Sequence, residues 1–77
     1  CPTQEEIDEG VTLHQEGDYF VARYERKEIA RSTTTKQLFR LLRKAGLVEC
    51  FPRIFEVNDH GNVTEYAYSG KKRGSWV

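Results

Sequence analysis

The strongest hydrophobic pattern in the chain is helical. Leu38, Leu41, Leu42 and Ala45 fall at i, i+3, i+4 and i+7, which predicts an amphipathic helix over residues 35–45. Phe39 lies at the edge of that apolar face. Thr34 is placed to cap the first turn, with Gln37 three residues on as the second member of a capping box. Gly46 supplies the left-handed residue that stops a helix, and Leu47 follows where a Schellman-type contact needs an apolar group.

Elsewhere the period is two. Val11 and Leu13 alternate with Thr12 and His14, and Gly17-Asp18 follows as a turn. The next segment, 19–24, is rich in aromatic and β-branched residues and sets Phe20, Ala22 and Tyr24 on one face. A polar connection leads to a brief third strand at 28–31 around Ile29. Beyond the helix, Pro52 bars helical continuation, and Ile54, Phe55 and Val57 give a fourth strand over 53–57. The turn-forming run 58–62 then leads into a fifth strand at 63–68, with Thr64, Tyr66 and Tyr68 on one side. The pair reads as a hairpin.

The ends carry weaker patterns. Thr3 and Glu6 have capping-box spacing and Gly10 is a stop, but Ile7 is the single strongly apolar residue between them, so this segment reads as a capped turn or short frayed helix. The last residues are rich in Gly and Lys and read as loose, with Trp76 as a group that could dock. The chain is therefore expected to be one domain over 1–77 with loosely ordered ends at 1–10 and 70–77. No sequence repeat is visible.

The expected fold class is α+β: a small two-layer sandwich in which one helix covers an antiparallel sheet, in the order β-β-β-α-β-β. A competing parse makes residues 28–46 the two helices of a helix-turn-helix and 53–68 the wing of a winged helix. The strand preference of 19–32 and the short spacing between Ala30 and Thr33 argue against it.

Charge changes this picture, because the formal net charge of zero conceals segregation. Residues 1–18 carry Glu5, Glu6, Asp8, Glu9, Glu16 and Asp18 and no Lys or Arg. Residues 19–46 carry Arg23, Arg26, Lys27, Arg31, Lys36, Arg40, Arg43 and Lys44 against Glu25 and Glu28 alone. Lys36, Arg40, Arg43 and Lys44 line the helix opposite its leucines with no acid among them. Like charges at i, i+4 oppose a helix by a few tenths of a kcal/mol each, so the stripe does nothing for the helix itself. Phosphate contact would account for it. Arg53 and the tail cations Lys71, Lys72 and Arg73 extend the candidate set, with Trp76, Tyr66 and Tyr68 as groups that can stack on bases. A solvated helix face, paired with the acidic N-terminal segment lying alongside, is the simpler explanation.

Candidates for catalysis are few. His60 lies beside Asp59, but in a run whose residues the turn itself requires. Cys50 sits among Leu47, Val48 and Phe51, where burial discourages a thiolate. No metal-ligand spacing, phosphate loop or nucleophile elbow is present. Two cysteines, Cys1 and Cys50, allow one bridge at most; a reduced pair and a cytoplasmic location fit better than a disulfide scaffold. No apolar run approaches the length of a membrane span. The expectation is a non-enzymatic binding module without cofactor. Its partner is nucleic acid, DNA or RNA, or an acidic protein surface, and a second copy of the chain could pair along a strand edge.

Overall fold

The computed structural model describes residues 2–47 and 52–76. Cys1 and Cys50 lie outside the described residues. In chain order the elements are α1 (Gln4–Glu9), β1 (Val11–Glu16), β2 (Tyr19–Tyr24), β3 (Lys27–Ser32), α2 (Thr35–Lys44), β4 (Ile54–Val57), β5 (Val63–Tyr66) and β6 (Lys72–Trp76). All six strands join one sheet in the order β3-β2-β1-β4-β5-β6.

The α+β class holds, but the sheet is mixed rather than antiparallel. β1 and β4 run parallel at its centre, with Val11 opposite Ile54 and Thr12 opposite Phe55, while the other four pairings are antiparallel. Among the described residues two helices are present, where one was expected to cover the sheet. The winged-helix alternative does not form, because residues assigned to its first helix lie in β3. The ends expected to be loose carry α1 and β6, and β6 pairs with β5 from Val63↔Trp76 to Tyr66↔Lys72.

The element order αβββ thus occurs twice, and the strand order reads alike from either edge. A half-turn about an axis lying in the sheet between β1 and β4 exchanges the halves and also exchanges the faces. The two helices consequently fall on opposite sides. Leu38, Phe39 and Leu42 of α2 pack with Val11, Leu13, Ala22 and Ile54. Ile7 of α1 packs with Phe55 and Val63. Ile54 and Phe55 are neighbours on one strand and so point to opposite faces, which fixes the arrangement as three layers, α1, sheet and α2.

Local chemistry explains each helix. Thr3 and Glu6 close a full capping box on α1. On α2 only half a box forms: the Gln37 amide donates to the Thr34 hydroxyl at 3.2 Å, but the Gln37 side chain accepts from the Ser32 hydroxyl at 2.9 Å. Gly46 takes φ 87° after Ala45, the stop expected from the sequence. The buried face is rotated from the leucine count. Phe39 is buried, Leu41 half-buried, and Ala45 is an exposed cap residue. Gly10 has a steric reason: a Cβ there would stand 2.5 Å from the Arg53 carbonyl oxygen and 2.9 Å from the Phe55 ring. No helix among the described residues is long and apolar enough to cross a membrane.

Candidate nucleic-acid interface

Rotating α2 to bury Phe39 redistributes its cations. At about 100° per residue, Arg40 and Lys44 lie opposite the centre of the buried face, and Lys36 lies between Arg40 and the Arg43 flank. Arg43 falls on the flank, beside Phe39. From there its Nη1 donates to the Tyr68 carbonyl at 2.8 Å. This bond ties the helix to the β5–β6 connection, a tight turn in which the Gly70 amide donates to the Ala67 carbonyl and the Ala67 amide to the Lys71 carbonyl. Gly70 takes φ 92° there, and a Cβ on it would sit 3.7 Å from the Phe39 ring.

Helix and turn enclose a shallow cleft of about 330 Å³ lined by Thr35, Lys36, Phe39, Arg40, Arg43, Ser69 and Gly70. Phe39 pairs with Tyr66 at 5.7 Å between ring centroids, tilted by 56°. The structure therefore brings Lys36, Arg40 and Arg43 to one cleft, and Lys44 follows one turn on. Lys71 is exposed in the adjoining turn. Lys72 opens β6 opposite Tyr66 in register, so it shares the face of Tyr66, the α2 side of the sheet.

Arg53 is elsewhere. Its Nε and Nη2 grip both carboxylate oxygens of Glu65 at 2.9 and 2.8 Å, its Nη1 donates to Glu6, and its guanidinium carbon lies 4.9 Å from the Phe55 ring centroid. These groups are on the α1 side. The hydrogen bonds that Arg53 donates to Glu65 hold the Arg53 pKa well above its usual value, and the same bonds hold the Glu65 carboxyl below its own against the opposing effect of burial. Arg53 is thus a clamp between α1, β4 and β5 and is not brought to the cleft. Arg73 lies at a register shift between β5 and β6, and its charge also lowers the Glu65 carboxyl.

Arg31 is a second cation held by carboxylates. Arg31 bonds Glu28 at 2.7 Å and Glu16 at 3.2 Å, with its guanidinium 5.6 Å from the centroid of the Tyr19 ring. His14 lies 3.2 Å from Glu16. Among the described residues, the side chains of Lys36, Arg40 and Lys44 have no hydrogen-bonding or ionic partner. The acidic α1 segment that could have neutralised them lies across the sheet, two packing layers of roughly 10 Å away. Such a separation exceeds the Debye length of about 8 Å at physiological salt.

A second cleft, of about 370 Å³, lies beside His14 and is lined by Gln15, Phe20, Glu56 and Asp59, so its charged groups are acidic where those of the α2 cleft are basic. His60 is exposed, its amide donating to the Asn58 side chain at 2.9 Å, as turn chemistry requires. Among the described residues no group of His, Cys, Asp and Glu is disposed to hold a metal ion. No family model matches the chain, and neither a curated protein nor a solved structure matches it. Tyr66, a stacking candidate from the sequence, is brought beside the cleft, whereas Ser69 and Gly70 were not among the sequence-based candidates. Their place beside α2 follows from β6 pairing, for which the Gly- and Lys-rich tail gives no periodic signal.

Proposed function

We propose that the protein is a non-enzymatic nucleic-acid-binding module, a cytoplasmic regulatory or accessory factor, which contacts phosphates through Lys36, Arg40, Arg43 and Lys44 of α2 and through Lys71 and Lys72. The observation that carries the reading is the contrast between cations. Arg31 and Arg53 are satisfied by carboxylates, whereas Lys36, Arg40 and Lys44 form a stripe with no acid on its own helix and the acidic helix on the far face. Arg forks and Lys ammonium groups held this way are suited to phosphate oxygens. The exposed, turn-bound histidine and the shallow cleft support a binding role over catalysis.

The test is the salt dependence of binding. Fluorescence anisotropy of labelled oligonucleotides, with Lys36, Arg40 and Lys44 all changed to Ala, should show the slope of log K against log salt falling by roughly 2–3, since each neutralised phosphate contributes about 0.7–0.9. Absence of binding by the unaltered protein at about 50 mM salt rejects the reading. If the protein instead associates with itself at low salt and disperses at high salt, the acidic α1 face of a second copy is the partner of α2, as complementary charge would direct.

A further inference from the structure

We infer that the nucleic acid taken by this surface is single-stranded, and that an unpaired base stacks on Tyr66 beside the cleft while its phosphates lie between α2 and β6. The inference rests on the polyanion reading above and narrows it to one substrate class.

The first observation concerns what α2 can reach. Reading a duplex needs an element that sinks into a major groove about 12 Å wide and 8.5 Å deep. A helix with its side chains is itself about 10–12 Å across, so a helix whose flank is tied to neighbouring structure sinks less deeply. α2 is tied in this way. Its buried side chains sit in the sheet, and its flank is held against the β5–β6 turn by the Arg43–Tyr68 bond and by Gly70 beside Phe39. A duplex could touch the outer cations with its backbone only.

The second concerns the sheet. α2 packs chiefly over β1–β3. On the same side of β5 and β6, register places Thr64 and Tyr66 alongside Ser75 and Lys72. Of these four residues Tyr66 meets α2, through Phe39. Their chemistry is that of a polar surface with one partly buried aromatic ring, and the tilted contact with Phe39 holds that ring in place.

The third is the disposition of charge about that ring. Lys36, Arg40 and Arg43 stand on the helix side and Lys72 on the strand side. A single strand can set phosphates against cations on both sides and turn a base down onto the ring between them. A duplex keeps its bases stacked inside and cannot. Glu56 faces the same side from β4, opposite Thr64, and its charge reaches Tyr66, so phosphates must keep to the side of the ring that carries Lys36, Arg40, Arg43 and Lys72.

The test compares labelled oligo(dT), oligo(U) and a blunt mixed-sequence duplex of equal length by anisotropy at about 50 mM salt. Tighter binding of either single strand than of the duplex, by tenfold or more, is expected. Tyr66→Leu should weaken single-strand binding roughly five- to hundredfold, as loss of one stacked base does, and Tyr66→Phe should restore it. Should Tyr66→Leu fail to fold, Lys72→Glu, an exposed change, should weaken the single strands more than the duplex. Equal or tighter duplex binding, or unchanged binding by Tyr66→Leu, overturns the inference and leaves the polyanion reading standing. Displacement by poly-glutamate as effective as by an oligonucleotide of matched charge also overturns it. No binding of any probe removes both.

Discussion

The Arg53–Glu65 clamp makes an asymmetric prediction about stability. Glu65 is 8% exposed, whereas the Arg53 side chain is 37% exposed. Replacing Glu65 with Gln removes a bidentate charged pair, but the guanidinium left behind keeps Glu6 and can reach water, so the cost should be about 1–2 kcal/mol. Replacing Arg53 with Met leaves a carboxylate that cannot reach water. Breaking a buried pair in that way costs about 3–5 kcal/mol, and partial exposure of Arg53 puts this instance at the lower end, about 3 kcal/mol. Against a total of about 4–12 kcal/mol for a chain of this length, the difference is easily read. Urea unfolding with a slope of about 1 kcal/mol/M should place the Arg53→Met midpoint about 3 M below the unaltered protein, and Glu65→Gln about 1–2 M below.

Acid supplies the sign. In the unaltered protein Arg53 holds the Glu65 carboxyl low, so its contribution is complete above about pH 4.5 and is lost as falling pH protonates it. In Arg53→Met the buried carboxyl prefers its proton, so acidification relieves the variant, and the gap between the two should narrow by at least half at about pH 4. If both variants lose the same stability at neutral pH, or if the Arg53→Met gap widens in acid, unequal solvent access at the two ends of the clamp is the wrong explanation.

Two further outcomes follow from local geometry. The β2–β3 turn places Glu25 at φ 53° and Arg26 at φ 67°, the double left-handed conformation that favours Asn-Gly, so Glu25→Asn with Arg26→Gly should raise stability by about 1–2 kcal/mol in the same urea assay. Tyr68 is buried and donates to the Pro52 carbonyl at 2.8 Å; burial, with Tyr24 nearby, pushes its pKa up to about 12. Ultraviolet titration should show one tyrosine ionising about two pH units late, with stability falling as pH rises above about 10, and Tyr68→Phe should abolish the late step.

What could be read from the sequence was what is local. The start and stop of α2 depend on Thr34 and Gly46, and both act there as their chemistry dictates. The hairpin loop of 58–62 is built by Asn58 accepting from His60 and Asn62. What escaped was set by distant partners. β6 has no alternating pattern, yet it pairs with β5, and the Trp76 ring lies over Gly74 on the Val63 side. One signal of the three layers is present in the sequence. Ile54 and Phe55 are adjacent apolar residues in a short strand, and a strand apolar on both sides is one covered on both faces, as in parallel sheets. That pair implied a second helix, and Ile7 was the one residue in the N-terminal segment able to anchor it.

The same topology gives the charge pattern its meaning. Along the chain, acids in residues 1–18 precede bases in 19–46, and in a two-layer fold the segments could have met and cancelled. The in-plane relation of the two αβββ halves prevents it, because exchanging the halves exchanges the faces. Glu5, Glu6, Asp8 and Glu9 are carried by α1 on one side, and Lys36, Arg40, Arg43 and Lys44 by α2 on the other. A neutral molecule therefore presents a basic face at α2 and an acidic helix, α1, on the other. If nucleic acid binds as proposed, binding should be oriented, with α1 turned away from it. Removing α1 acids such as Glu5 and Glu9 should strengthen binding only through long-range attraction, and this gain should vanish above about 0.15 M salt, where screening is shorter than the thickness of the sheet and its helices.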